Sequence, residues 1–584
     1  MKFVIRKPDR AYVDNWLWVP KAGLNVEGVK NALQFKFIDN HDERKVRTVY
    51  LWKETDQHLL VPREFWKPED LPVPVVDCRP SSYPHAKIKS RIRLDHLPDE
   101  RGKLKATGLD VQRRSLQVLI DSPGGILQLS CGKGKTVVFL ELAARMNAPV
   151  LMIVPDTHLM EQWEKQAKTL LDIPGGIGFI QADKFDWKKQ FVLATYHTIA
   201  ARAEEMPEEI RRWFGLIGWD EGHHISAPTF TKSADIFYGK RVALTATPIR
   251  DDGTHIIYNF HIGPVVFKDL TQEVKPRIIF KWTGLRIDDP KKVDVTDKNG
   301  DIHLSKLATH FAQWRSRLEL IINDIKDALA AGRQKILVLS NSIAEIVNLL
   351  ALWTHGPNVN LYSDIPEPTP QELGETLAPE YMDPIKVAQA QATISALKAQ
   401  LLSMHVNPVK VPDLKKMVDE LEEKLERSYV WTKVEREIRK RQRTYIRELQ
   451  KHLGNAGLMI HEVAPKIRAD YIRKKQIVFA IMKYGKEGLD SPDLDTVIVC
   501  EPISQKNGLQ QIMGRTTRNT PGKMKPVVVF YEDDIGPLIG MCKKLKSHLL
   551  SWPHDEGGPF DYELHGHPIA RHKWKNQPAT VFGA

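Results

Sequence analysis

The chain has 584 residues, enough for three or four domains around a buried core of ordinary size, and its 85 lysines and arginines against 73 acids give a net charge of +12. That balance favours a polyanionic partner without identifying it, while four widely separated cysteines with no CxxC spacing argue against a disulfide framework or a cysteine zinc site. No apolar run approaches the roughly 18 residues of a membrane span, and MKFVIRKPDRAYV lacks a signal-peptide core, so an intracellular, non-secreted protein without a membrane partner is expected.

Residues 1–104 carry strand-like stretches (QFKFI, VRTVYLW) that end in the proline-rich WKPEDLPVPVVD, the mark of a small accessory domain plus connector. Near its end, AKIKSRIR places Lys87, Lys89, Arg91 and Arg93 on one face of an extended segment and Ile88 and Ile92 on the other. Those cations can track a phosphate backbone, and a charge-protected edge strand explains them equally well.

From 105 to 272, short apolar runs (GILQL, VLMIVP, FVLATY, LIGWD, RVALTAT) alternate with helix-like segments, the pattern of a parallel sheet with crossover helices. Directly after GILQL comes CGKGKT. Its glycines Gly132 and Gly134 let backbone N–H groups close around a phosphate at a helix start, with Cys131 and Lys133 completing the loop. Lys135 then supplies charge to the phosphates and Thr136 a hydroxyl to Mg²⁺, although Leu129 stands where the generic GxxxxGK[ST] pattern has its first glycine.

DEGHH follows the apolar strand FGLIGW, so Asp220 and Glu221 are expected at a strand's carboxyl end, where α/β sites lie. Asp220 is suited to holding Mg²⁺ through water, and Glu221 to orienting or deprotonating an attacking water. A solvated acidic loop is the plain alternative. A zinc site on His223 and His224 is disfavoured, because adjacent side chains diverge and no third ligand is evident.

A connector (273–310) leads to a second strand series (KILVLS, QIVFAI, DTVIVC, VVVFY) over 311–550. Between its first two strands, 380–455 reads as a helical hairpin insertion, whose run from Arg427 to Lys451 includes Arg439, Lys440, Arg441 and Arg443. That run fits phosphate contact, against the default of a solvated helix face. The tail, 551–584, holds His554, His565, His567 and His572 without a metal spacing.

Taken in order, CGKGKT, VLMIVPDTHLMEQW, VLATYHTIA, DEGHH, LTATP, EGLDSPDLDTVIV and QQIMGRTTR resemble the motifs of the superfamily 2 DExH-type helicases. LSCGKGKT and the run LTATPIRDDG to IGPVVF resemble most the XPB/UvsW-like branch with its phage and large-DNA-virus relatives, in which Leu129 is no anomaly. The resemblance implies two RecA-like α/β domains around an ATP and Mg²⁺ cleft, beside an N-terminal accessory domain and a helical insertion in the second domain. It implies an adenine contact for Gln112, a cation set from Gln511, Arg515 and Arg518, nucleotide coupling through Gly488 and Asp490, and motion coupling through His223, Thr245 and Thr247. Nucleic-acid phosphate binding is the competing reading of the two arginines, and buried satisfied hydroxyls that of the threonines. The implied activity is ATP-driven remodelling or unwinding of single-stranded, forked, branched or duplex DNA. An RNA motor is the alternative and a clamp-like ATPase without strand separation the third reading.

Overall fold

The computed structural model describes residues 6–39, 42–92, 108–246 except 131, 182–183 and 228, 254–369 except 272–273 and 298–299, 372, 393–394, 397, 418, 434–556 except 487–490, 504 and 517–521, 558–566 and 581–582. The chain forms two compact units, Met1–Ile287 with Ala328–Leu337 and Met482–Ala584, and Asp288–Asp327 with Val338–Ile481. No helix among the described residues is long and apolar enough to cross a membrane.

The first unit opens with a small sheet in the order Lys53–Glu54, His58–Pro62, Trp16–Pro20, Ala11–Val13, Val75–Asp77, beside a separate hairpin of Gln34–Asp39 and Asp42–Tyr50. Two buried arginines fasten that sheet to the domain that follows. Arg63 Nη1 donates to the carbonyls of Tyr238 and Gly239, both at 3.0 Å, and Arg241 Nη2 donates to those of Asn15 at 2.8 Å and Phe237 at 3.0 Å. Burying a guanidinium costs several kcal/mol unless its donors are met, and these carbonyls meet most of them, Arg241 Nε alone of that side chain having no partner among the described residues.

His261 lies at the same junction, 1% exposed and edge-on to Trp16, and neither ring nitrogen has a hydrogen-bond partner among the described residues. Burial first, then the positive charges of Arg241, Lys53 and Arg63, push its pKa from 6.5 down to about 3. The folded state therefore holds His261 neutral where the unfolded chain takes up a proton. Stability should fall on acidification below about pH 6.5, by about 1.4 kcal/mol per pH unit from this residue alone. His261→Leu should remove that part, so that from pH 7 to pH 5 its urea midpoint drops less than the parent's. Equal drops would show that the histidine does not set acid sensitivity.

The main sheet runs Lys184–Phe185, Ile177–Gln181, Phe191–Thr195, Val150–Val154, Leu216–Asp220, Lys240–Thr245, Gly125–Leu129, Val265–Asp269. All neighbours are parallel except the first pair. The strands GILQL, VLMIV, FVLAT and LIGWD are buried throughout, because helices cover both faces. On one side Phe139, Leu142, Met160 and Trp163 pack over Leu127, Met152 and Leu193; on the other Tyr196, Ile199, Phe237 and Tyr258 pack over Ile126, Ile153 and Ile217. This covered parallel sheet is the α/β architecture expected. Its central strands end side by side at their carboxyl ends, and there the motif residues gather.

A second parallel set in this unit places Thr496–Val499 beside Val527–Glu532, then Arg277–Trp282, then Glu563–His565. Two expected boundaries change. Arg277–Trp282, expected within the connector, is a sheet strand because RIIFKW pairs with VVVFYE, 250 residues further on at Trp282↔Glu532. The tail likewise adds a strand, in which His565 bonds Glu563 at 3.1 Å; His567 and His572 lie outside the described residues.

The second unit has the parallel pair Ala456–Met459 and Ile477–Ile481, and the helices Leu304–Gln313, Ile343–His355 and Pro465–Lys474. A buried ion pair joins Arg317 to Glu345 at 2.5 Å, and Ser340 Oγ donates to the other oxygen of Glu345 at 2.6 Å. A helix covers 434–450, inside the expected hairpin, most of the rest of which lies outside the described residues.

Candidate active site

The phosphate loop forms where strand Gly125–Leu129 gives way to helix Lys135–Met146. Gly132 and Gly134 take the left-handed φ values of 87° and 83° that the tight loop demands. A Cβ at Gly134 would also lie 2.2 Å from Gln112 Nε2, so the glycine lets the glutamine close over the loop. Gln112 Nε2 donates to the Lys133 carbonyl at 3.2 Å, and Lys135 Nζ reaches back to the Leu129 carbonyl at 3.0 Å. Thr136 is half-buried in the first helical turn, and Cys131 lies outside the described residues.

Asp220 ends strand Leu216–Asp220 and is 9% exposed. Its Oδ2 accepts the Trp163 indole N–H at 2.7 Å and its Oδ1 the Glu221 backbone N–H at 3.0 Å. Burial raises the Asp220 pKa; the Trp163 bond, Lys135, the Glu221 amide and Arg515 oppose that rise. Trp163 is 2% exposed and packs edge-on to Phe139 of the phosphate-loop helix at 5.8 Å. Gly218 makes room for this packing, since a Cβ there would come within 2.4 Å of Phe139.

Glu221 takes a left-handed backbone, φ 47° and ψ 54°, unusual for a residue with a Cβ. Tyr196 Oη braces the turn by donating to the Asp220 carbonyl at 3.0 Å. His223 Nδ1 lies 3.5 Å from Glu221 Oε2 and 3.3 Å from Thr245 Oγ1, so it bridges the acidic turn and the end of the next strand. Its ring stacks on His224 at 4.6 Å, and the described residues contain no cluster of three metal-ligating side chains.

Helix Lys506–Thr516 carries Gln511 and Arg515, both half-buried. The positive charge of Arg515 acts on Asp220, and Gln510 Nε2 donates to the Ala246 carbonyl at 3.2 Å, just past Thr245. Lys268 meets Glu556 at 2.9 Å, a second contact between the first sheet and residues after 500. Lys135, Asp220, Glu221, His223, Thr245 and Arg515 are thus brought to one place. Thr247, Gly488, Asp490 and Arg518 lie outside the described residues. Sequence reasoning misses Trp163 and Gln510, although the tryptophan stands within a motif and the second glutamine adjoins Gln511.

The candidate polymer contacts divide. Lys87, Lys89 and Arg91 are exposed, Ile88 is buried and Ile92 half-buried, but Ser90 between them is exposed as well, and Lys89–Ser90 pairs antiparallel with Leu171–Asp172; Arg93 lies outside the described residues. On the 434–450 helix, Arg439 and Lys440 are exposed, as is Arg443. Arg441 is turned inward, bonded to Glu372 at 3.0 Å and to the Pro366 carbonyl at 3.1 Å.

Residues 107–250 match the family model described as type III restriction enzyme, res subunit. The chain is 29% identical over 269 residues to the DNA 3'-5' translocase XPB2 of Sulfurisphaera tokodaii, covering 44% of this chain and 60% of that protein. It is 31% identical over 161 residues to the DNA 3'-5' helicase XPB of Mycobacterium tuberculosis, covering 26% of this chain and 29% of that protein. A protein of Acanthamoeba polyphaga mimivirus, named as a candidate ATP-dependent RNA helicase, is 27% identical over 272 residues, covering 45% of this chain and 51% of that protein. The chain thus matches from under a third to 60% of the length of these relatives.

Proposed function

We propose that this chain is an ATP-dependent DNA translocase and helicase that remodels or unwinds forked, branched or duplex DNA. The observation that carries the reading is geometric: Asp220 is held by Trp163, which packs on the phosphate-loop helix, and Gln510 of the helix that bears Arg515 bonds the Ala246 carbonyl just past the neighbouring strand. The residues suit ATP and Mg²⁺, since the loop offers two left-handed glycines, an ammonium and a hydroxyl, and each Asp220 oxygen carries a single hydrogen bond among the described residues. Bound Mg²⁺ would neutralise phosphate charge. Thr136 and Asp220 would hold it, Lys135 would exchange the Leu129 carbonyl for phosphate oxygens, and Gln112 would face the base. Glu221 would orient the water, while Arg515 with Arg518 would neutralise the departing phosphoryl group. Through His223, Thr245, Gln510 and the expected coupling residues Thr247, Gly488 and Asp490, the state of the nucleotide would reach both strand series.

DNA is the polymer favoured by two relatives named for action on it, and the net charge of +12 suits any polyanion. The mimivirus relative keeps RNA as the second reading. ATPase rates measured in parallel with single-stranded DNA, duplex, a four-way junction and RNA decide between them. Stimulation by DNA is expected, and stimulation by RNA alone would overturn the choice.

The inserted helix offers a track. Arg436, Lys440, Arg443 and Arg447 are exposed and recur at the spacing of one helical face over about 16 Å. Arg436, Arg443 and Arg447 have no carboxylate partner among the described residues, whereas Lys440 lies 3.3 Å from Glu437. Replacing all four with glutamine should weaken DNA binding and flatten its log–log salt dependence by about 0.9 for each phosphate no longer neutralised. An unchanged slope would show that this helix face does not contact phosphates.

A further inference from the structure

Lys133 stands between the two loop glycines, yet its ammonium is bonded to Asp269 Oδ1 and Thr271 Oγ1 on the far side of the domain's sequence. The same short segment holds the loop twice more. Ser130 N–H donates to the Asp269 carbonyl at 3.0 Å, and Ser130 Oγ donates to the Thr271 carbonyl at 3.1 Å. Asp269 Oδ1 also accepts the Thr271 N–H at 3.1 Å and its hydroxyl at 2.7 Å, so the acceptor for Lys133 is itself fixed.

The placement follows from the sheet. Asp269 ends the strand that runs parallel to Gly125–Leu129, with Asp269 opposite Leu129, so the phosphate loop and the exit segment leave neighbouring strands at one level. Beyond Thr271 the chain leads to strand Arg277–Trp282, which belongs to the other strand series. Lys133 and Asp269 side chains are only 10% and 16% exposed, which protects their attraction from salt.

A loop with two glycines loses much freedom when it closes on phosphate, and prior ordering lowers that cost to binding. We infer that Lys133 is a positioning residue whose ammonium clamps the phosphate loop to the Asp269–Thr271 exit segment, preforming the loop for phosphate. The inference rests on the nucleotide-site reading above. The Lys133 backbone is held inside the loop, its N–H donating to the Ser130 carbonyl at 3.3 Å and its carbonyl accepting from Gln112, while its charge is matched by Asp269.

The test measures the affinity of a fluorescent ADP for parent, Lys133→Met, Asp269→Asn, the double variant and Lys133→Arg, with thermal melting to verify folding. Each single loss should weaken affinity about tenfold, the scale of one charge-assisted hydrogen bond. The double variant should bind no more weakly than the worse single, because both remove the same link. Lys133→Arg, able to reach Asp269, should stay within about threefold of the parent. In turnover with ATP, KM should rise by more than kcat falls. Unchanged affinity in folded single variants, or additive losses in the double, would overturn the clamp. A parent that binds no nucleotide would sink the site reading and the clamp with it, whereas a parent that binds as the variants do would sink the clamp alone.

Discussion

Glu221→Gln should lower ATP hydrolysis by about 10²- to 10⁴-fold, the range for loss of a positioned general base, while nucleotide binding stays near the parent's. The substitution keeps side-chain size at a residue whose left-handed backbone is held by the Tyr196 hydroxyl on the preceding carbonyl. What changes is charge, 3.5 Å from His223 Nδ1, where the turn meets Thr245. Lys135→Ala should behave oppositely, losing nucleotide affinity because the ammonium aimed across the loop at Leu129 is the charge that phosphate would meet. Binding and single-turnover hydrolysis measured on both variants separate the roles. Near-normal turnover in both would mean that the acidic turn and the phosphate loop are not the working site.

Arg515→Ala should cut hydrolysis by about 10³-fold or more with little loss of nucleotide affinity, as expected of an arginine acting on transition-state charge. The ground is the place of its helix, whose Gln510 bonds the Ala246 carbonyl at 3.2 Å just past a first-sheet strand, with the Arg515 charge acting to lower the Asp220 pKa. Arg518, three residues on, is expected to share that role, and Arg518→Ala should show the same split between rate and affinity. Normal hydrolysis with weakened polymer binding would move either arginine to the nucleic-acid track.

Much of this arrangement is legible in sequence because buried parallel strands read as unbroken apolar runs. GILQL, VLMIV, FVLAT and LIGWD are buried end to end, and the candidate site residues follow the carboxyl ends of GILQL and LIGWD. What escapes depends on distance along the chain or on helical phase. Trp163 reads as a core aromatic, and its N–H bond to a carboxylate 57 residues away has no local signal. Gln510 and Gln511 are adjacent, but neighbours on a helix point about 100° apart, and only the folded chain shows Gln510 meeting Ala246. Arg63 and Arg241 are charges, which sequence reasoning places outside, and carbonyls of partner segments allow their burial. RIIFKW reads as part of a connector because its partner strand comes 250 residues later.

The most direct test of the central claim is motion itself. A duplex bearing a forked end and a fluorescent third strand can be followed as that strand is released, with parent and Glu221→Gln compared in ATP and in a non-hydrolysable analogue. Release should occur with the parent in ATP and in no other combination. Hydrolysis stimulated by the same DNA without any release would contradict translocation and leave a clamp.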